Sequence, residues 1–166
     1  MTVLQEQSSP ADARELINTE EFAAVTATVS RANPDMKQET AERIVADALA
    51  FTAAGAVYPM ARLRPSRIVD EGWHALILNT RVYERLCTRL GRFVHHVPEP
   101  GDPSRHDASE LARTQAMIRQ AGYTTHADLW RPPTDRTILV AANCEHSPPP
   151  PEGACEAGDC SNTGPN

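Results

Sequence analysis

Residues 69–78 read VDEGWHALIL, and this stretch decides how the rest of the sequence is interpreted. Its apolar residues recur at steps of three and four, the period of an α-helix: Val69, Trp73, Leu76 and Ile77. Pro65 and Ser66 precede the stretch and supply a start signal for the helix. Because apolar side chains occupy so much of its circumference, this helix is predicted to lie at the centre of the fold.

The same periodicity, bounded by cap residues, predicts helices on both sides of this central one. They fall near residues 10–17, 18–33, 36–54, 79–90 and 108–121, and a further short turn falls at 125–130. The sequence leaves open whether the central helix continues into the 79–90 helix. The predicted fold class is all-α, a compact bundle of about five to six helices.

Proline marks the segments between and beyond the helices. Residues 92–97 are predicted to be extended, and residues 98–104, with three prolines and a glycine, to form an irregular loop. Four successive prolines at 148–151 impose polyproline geometry near the end of the chain. The predicted organisation is a flexible N-terminus over residues 1–9, a helical domain over 10–140 and a disordered tail, containing proline and cysteine, over 141–166.

Charge and composition argue against several classes of partner. The 16 basic and 22 acidic residues give a formal net charge of -6, so nucleic acid and membrane are not expected as partners. No run approaches the roughly 20 apolar residues of a membrane span, and the first residues lack the features of a signal peptide. A cytoplasmic location is therefore expected, and the absence of a glycine-rich phosphate loop or nucleophile elbow argues against common nucleotide-binding and hydrolase functions.

Candidate metal ligands occur in the central helix and in the extended segment. Asp70 and His74 are one helical turn apart, so their side chains can meet on one face. A turn at Gly91 can bring His95 or His96 back against that face. Carboxylate and imidazole donors suit a divalent transition metal such as zinc or iron. A proton-transfer pair and a purely structural hydrogen bond explain the same spacing, and the sequence does not separate the three.

A second group of potential donors lies in the tail, at Cys144, His146, Cys155 and Cys160. Four such ligands are the number that a closed zinc site requires. Their spacing matches no zinc finger or ribbon, however, so this site is the weaker hypothesis and free thiols are the alternative.

Other conspicuous residues are interpreted as structural. Cys87 is predicted to be a small buried apolar residue, and Trp73, Tyr83 and Phe93 are predicted to pack in the core. Four arginines at helical spacing are interpreted as a solvated basic stripe: Arg81, Arg85, Arg89 and Arg92. His106 and His126 lie in or beside predicted loops and show no partner in the sequence.

The residues of the central stretch and the extended segment together resemble the signature of the glycine-rich domain-containing protein family. The resemblance rests on Val69, Asp70, Trp73, His74, Ile77, Leu78, Tyr83, Cys87, Gly91 and the run HHVP at 95–98. Across residues 15–160 the chain is also similar to small uncharacterised actinobacterial proteins with a cysteine-bearing C-terminal end. The resemblance implies no particular reaction, but it implies that Asp70, His74 and His96 act together.

Three functions are consistent with these patterns. The first is a small intracellular protein with an Asp/His metal centre, and the second is a metal-dependent enzyme that uses the same centre. The third is a non-catalytic adaptor of a biosynthetic or peptide-modification system, which recognises a protein or peptide partner and acts through its cysteine-containing tail. The sequence specifies no small-molecule substrate.

Overall fold

The computed structural model describes residues 9–100, 107–142 and 144–146, and for residues 99, 100 and 144–146 it describes the backbone. Five α-helices make up most of these residues: α1 (Thr19–Ala32), α2 (Gln38–Val57), α3 (Arg67–Leu78), α4 (Thr80–Leu90) and α5 (Ala108–Gln120). Two 3₁₀ turns, Ala13–Leu16 and Ala127–Leu129, and two short strands, β1 (Pro98–Pro100) and β2 (Cys144–His146), complete the described elements. The predicted all-α class is confirmed.

Local capping explains where the helices begin. At the start of α1, the Asn18 side chain accepts a hydrogen bond from the Glu21 backbone N–H, and the Glu21 carboxylate accepts one from the Asn18 N–H. At the start of α3, the Ser66 hydroxyl accepts from the Val69 N–H at 3.1 Å and donates to the Leu129 carbonyl at 2.6 Å. The cap of α3 therefore also fixes a distant segment of the chain.

Asn79 separates α3 from α4, which answers the question of continuity that the sequence left open. Its backbone N–H completes the last turn of α3, and its side-chain amide donates to the Ala75 carbonyl at 2.8 Å and to Thr28 Oγ1 at 3.0 Å. Gly91 ends α4 in the left-handed region, at φ +75°, as its position in the sequence predicted. The extended segment that follows Gly91 then returns toward α3.

Helix α2 shares the centre of the fold with α3. It contacts α1, α3, α4 and α5, and a continuous run of its residues, from Ile44 to Ala54, is buried. Its close approach to α3 occurs at Gly72, where a Cβ atom would lie 2.8 Å from the Ile44 carbonyl oxygen and 2.9 Å from Ala48 Cβ. The two helices therefore pack at a distance that only glycine at position 72 permits without displacement.

The two strands correct the prediction that residues 98–104 form only an irregular loop. Pro98–Pro100, within the predicted irregular loop, pairs antiparallel with Cys144–His146, within the predicted disordered tail. Residues two apart in a strand direct their backbone N–H groups to the same side. Pro98 and Pro100 can therefore both have their nitrogens on the side away from β2, where no N–H donor is needed. Regular structure thus continues beyond residue 140, whereas residues 1–8 and 147–166 lie outside the described part of the chain.

Among the described residues, no helix is both long enough and apolar enough to cross a membrane.

Candidate metal centre

The centre begins with two side chains on one face of α3. Asp70 is 1% exposed, and its Oδ2 lies 3.6 Å from Nε2 of His74, one helical turn further along. The helical period places residues four apart on the same face, which is why the sequence predicted this pair. His74 is less enclosed, because its side chain retains 26% of its accessible surface.

His96 joins this pair from the extended segment after α4. Its Nε2 lies 3.0 Å from Asp70 Oδ1, and its ring centroid lies 4.5 Å from that of His74 and 4.6 Å from that of Trp73. The three side chains each offer one ligand atom, and these atoms lie within 4.8 Å of one another. The predicted convergence of Asp70, His74 and His96 is therefore observed.

The separations between these atoms are compatible with a shared metal ion. Nitrogen and oxygen ligands bind zinc at about 2.0–2.2 Å, so two ligands of a tetrahedral site lie about 3.4 Å apart. Asp70 Oδ1 lies 3.0 Å from His96 Nε2, and Asp70 Oδ2 lies 3.6 Å from His74 Nε2, so each imidazole is close to that value from one carboxylate oxygen.

A buried hydrogen-bonded connection holds the segment that carries His96. Trp73 Nε1 donates to the Tyr83 hydroxyl at 2.9 Å, and that hydroxyl donates to the Val94 carbonyl. Burial raises the pKa of Tyr83, so the phenol stays protonated and remains a donor. Gly55 permits Val94 to pack closely, since a Cβ at that position would lie 3.2 Å from Val94 Cγ1. The chain is thus held at Val94, two residues before His96, and this contact positions His96.

His95 does not belong to the group, although the sequence named it as an alternative to His96. It is exposed, and its ring lies 4.8 Å from the ring of Phe93. Successive residues of an extended segment point to opposite sides, so only one of two adjacent histidines can face α3. Phe93 is 51% exposed, so its predicted core packing is wrong, whereas the predicted burial of Trp73, Tyr83 and Cys87 is confirmed.

The second candidate site, in the tail, stays a prediction. Cys144 and His146 belong to β2, of which the backbone is described, and Cys155 and Cys160 lie outside the described residues. His106, for which the sequence showed no partner, also lies outside the described residues.

A second carboxylate–imidazole pair was missed by the sequence reasoning. Asp47, which is 1% exposed, accepts hydrogen bonds from the His126 backbone N–H at 3.0 Å and from Trp130 Nε1 at 2.7 Å, and it lies 2.6 Å from His126 Nδ1. Burial raises the pKa of Asp47, and the hydrogen bonds from His126 and Trp130 oppose that change. The signal in the sequence was an aspartate on the apolar face of α2, where a charge requires partners.

The predicted basic stripe is exposed to solvent, and two of its arginines also contact groups of the N-terminal part of the chain. Arg85 pairs with Glu21, the cap residue of α1, and Arg89 donates to the Leu16 carbonyl at 2.7 Å. The Arg85 guanidinium and the Asn18 N–H both lower the pKa of Glu21, with the backbone hydrogen bond the larger cause. These arginines therefore attach α4 to the N-terminal part of the fold.

The fold and this site together define an all-α protein with a candidate carboxylate–bis-imidazole metal centre between its third helix and an extended crossing segment. A family model described as UCP032817-like matches residues 12–120, a range that contains Asp70, His74 and His96. The chain belongs to that family, which is uncharacterised. No curated protein and no solved structure matches the chain.

Family membership corrects the resemblance to glycine-rich domain-containing proteins, which was wrong. The resemblance rested on scattered positions between residues 69 and 98, which combine core residues, a glycine that ends a helix, and the Asp and His donors. Residues of these types are required by helix packing and helix termination in many folds, so the pattern is too general to identify a family.

Proposed function

We propose that this protein binds one divalent transition metal ion, zinc or iron, through Asp70, His74 and His96. The observation that carries the proposal is the convergence of three donor atoms within 4.8 Å, contributed by two parts of the chain. Asp70 and His74 come from α3, and His96 comes from the segment after α4. A chance pair is common on one helix, but a third donor brought from a distant segment is the requirement of a metal site.

The chemistry of the donors supports these two metals. Imidazole nitrogen suits zinc and iron, and two histidines with one carboxylate form the ligand set of many zinc enzymes and non-haem iron(II) proteins. Asp70 is almost fully enclosed, and a divalent cation would compensate the cost of burying its negative charge. Without a metal, His96 would serve as a hydrogen-bonding partner of Asp70, which is the structural alternative.

Elemental analysis of anaerobically purified protein, prepared without a metal-affinity tag, tests the proposal. Wild type is expected to retain about one equivalent of zinc or iron, and His74→Ala and His96→Ala are expected to lose most of it because each removes a direct ligand. His95→Ala and His126→Ala are matched controls and should retain the wild-type content. Far-UV circular dichroism confirms that each variant is folded.

Two results would contradict the proposal. Metal retained at wild-type stoichiometry by both His74→Ala and His96→Ala would place the metal elsewhere, and wild type that fails to take up either metal on direct titration would leave the three residues as a structural cluster. The second result would favour the adaptor function, in which His74 tolerates alanine and the tail cysteines are required.

The partial exposure of His74 favours a metal-dependent enzyme as the second candidate function. With 26% of its side-chain surface accessible, His74 gives solvent a path toward the centre, whereas purely structural sites are enclosed. In such an enzyme the metal supplies Lewis acidity or activates water or oxygen, while Asp70 and the two histidines hold it in place. Cobalt(II)-substituted protein should then show an absorption change on adding azide, and an unchanged spectrum would rule out an accessible coordination position.

A further inference from the structure

Side chains from the end of α1 and from α3 hold the backbone just before β2. The Asn33 side-chain oxygen accepts a hydrogen bond from the Ala141 N–H at 2.8 Å, and Glu71 Oε2 accepts one from the Ala142 N–H at 2.6 Å. Arg67 Nε donates to the Ala142 carbonyl at 2.9 Å. The chain is therefore fixed against α3 two residues before β2 begins at position 144.

The register of β1 and β2 determines which backbone groups join the two strands. Pro98 pairs with position 146, Glu99 with position 145 and Pro100 with position 144. Because proline has no N–H, the two outer pairs cannot be the hydrogen-bonded ones, so Glu99 and Glu145 exchange both backbone hydrogen bonds. Two short strands alone in water are at most marginally stable, so this pairing depends on what holds each strand in place.

Both strands are held by parts of the chain that carry proposed metal ligands. Strand β2 contacts α3, the helix of Asp70 and His74. Strand β1 begins two residues after His96, which is about 7 Å along an extended chain. A metal ion bound by these three residues would fix the segment before β1 against α3, the same helix that holds the backbone before β2. The ion would therefore bring both strands into position to pair.

Resting on the proposed metal-binding function, we propose that metal binding at the centre is coupled to docking of the C-terminal strand, so that loss of the metal loosens β2 from β1. Metal occupancy thereby regulates how firmly the end of the described chain is attached to the fold. By linkage, the factor by which metal strengthens docking equals the factor by which docking strengthens metal binding. The coupling is transmitted through the backbone on both sides of the strand pair.

Amide exchange of the full chain, measured by mass spectrometry, tests the effect of metal on docking. The probe is zinc, or anaerobic iron(II) where wild type takes up only iron. The metal should slow exchange over residues 141–146 at least about fivefold, the low end of the usual coupling between two sites. In His74→Ala, which lacks a proposed ligand, the same metal concentration should leave exchange over these residues unchanged.

Glu145→Pro tests the reciprocal effect, because it removes the backbone N–H that Glu145 donates to Glu99. Metal affinity, measured by chelator competition, should fall at least about fivefold, by linkage with the effect on exchange. Glu145→Ala is the matched control, since it removes the same side chain and keeps the N–H, and it should bind metal as wild type does. Far-UV circular dichroism confirms that both variants are folded.

Arg67→Met loosens the chain before β2 without touching a proposed ligand. It removes the hydrogen bonds to the Ala142 and Val140 carbonyls, so it should weaken metal binding and speed amide exchange over residues 141–146. Arg113→Met is its control, because Arg113 donates to the carbonyls of Ala61 and Arg62 in another loop, and it should change neither quantity.

The centre and the coupling fail in different ways. Wild-type protein that binds neither zinc nor iron would refute the centre itself. Metal bound by wild type without any slowing of exchange over residues 141–146, or bound by Glu145→Pro with wild-type affinity, would refute the coupling and leave the centre intact. An equal loss of affinity in Glu145→Ala and Glu145→Pro would also refute the coupling, because strand pairing would then not be the cause.

Discussion

Asp47 is a buried carboxylate, outside the proposed metal centre, that holds two segments of the fold together. Its oxygens interact with the backbone N–H and the ring of His126 and with the indole N–H of Trp130, which together fix the segment after α5 onto α2. Burial nevertheless raises the pKa of Asp47, since the charged form is poorly solvated in the interior. Asp47 therefore links the stability of the protein to pH.

The pH dependence of Asp47→Asn tests this link. A folded-state pKa above the ordinary aspartate value of 3.8 means that the native state binds more protons than the unfolded state between the two pKa values. The contribution of Asp47 is thus fully present below pH 3.8 and is lost as the pH rises through its folded pKa. The free energy of unfolding of wild type minus that of Asp47→Asn, from urea denaturation, should fall as the pH rises through this window.

Asp128→Asn is the matched control for the direction of the effect. The side-chain hydrogen bond from Arg43 lowers the pKa of Asp128, so its contribution is present above pH 3.8 and is lost as the pH falls through the folded pKa. The corresponding difference for Asp128 should therefore rise with pH. A difference for Asp47 that also rises would mean that its hydrogen bonds outweigh its burial.

Tyr83 is the residue that positions His96 through the backbone. Tyr83→Phe removes the acceptor for Trp73 Nε1 and the donor to the Val94 carbonyl, so two polar groups lose their partner. We expect a loss of about 1–3 kcal/mol in the free energy of unfolding. Metal affinity is expected to fall about tenfold, because Tyr83 orients the segment that carries the proposed ligand His96.

Thermal and urea denaturation measure the stability of Tyr83→Phe, and chelator competition measures its metal affinity. Tyr123→Phe, which lies outside the connection from Trp73 to Val94, is the control and should change neither quantity appreciably. Reduced stability with wild-type metal affinity would show that His96 is held by other contacts.

At the scale of the elements, the distance between α2 and α3 determines where Asp70 and His74 lie. Gly72→Ala places a methyl group 2.8 Å from the Ile44 carbonyl and 2.9 Å from Ala48 Cβ, so the helices must separate. We expect the free energy of unfolding to fall by about 1–3 kcal/mol, although alanine favours a helix over glycine. Urea denaturation measures this loss, and metal affinity should fall with it because α3 carries two of the proposed ligands.

Gly122→Ala is the control for a glycine whose replacement costs only backbone strain. Gly122 has φ +94°, and a Cβ there would meet nothing within 4 Å. Its replacement should lower stability without changing metal affinity. Unchanged or increased stability of Gly72→Ala would show that α2 and α3 can adjust their separation freely.

At the scale of the whole molecule, the side chains of Asn33, Arg67 and Glu71, here called the C-terminal clamp, join the end of α1 and helix α3 to the backbone of residues 140–142. Glu71→Gln replaces one carboxylate oxygen by an NH₂ group, so either Asn33 or the Ala142 N–H loses its acceptor. We expect a loss of about 1–3 kcal/mol and faster amide exchange over residues 140–142. Hydrogen exchange measured by mass spectrometry gives this readout.

Glu110→Gln is the control for the clamp, because Glu110 pairs with Arg64 near the surface and should contribute little. Exchange over residues 140–142 that is unchanged in Glu71→Gln would mean that Arg67 and Asn33 suffice to hold the chain end.

Much of the helical structure was predictable because helix signals are local. Asn18, Ser66 and Gly91 act on residues a few positions away, and the apolar period is a property of a single helix. The pair of Asp70 and His74 was predictable for the same reason. The choice of His96 over His95 was not, because it depends on which side of the extended segment faces α3.

The sequence by itself determined which segments become helices, where they begin and end to within a few residues, and that one helix carries an aspartate and a histidine on a common face. Tertiary structure alone decided that His96 reaches Asp70, that Asp47 meets His126, and that residues 144–146 pair with residues 98–100. The physical reason is the separation along the chain between the residues that interact. Caps and helical periods arise from interactions within a turn or two, whereas these three contacts join residues far apart in the chain, whose meeting depends on the packing of the whole core.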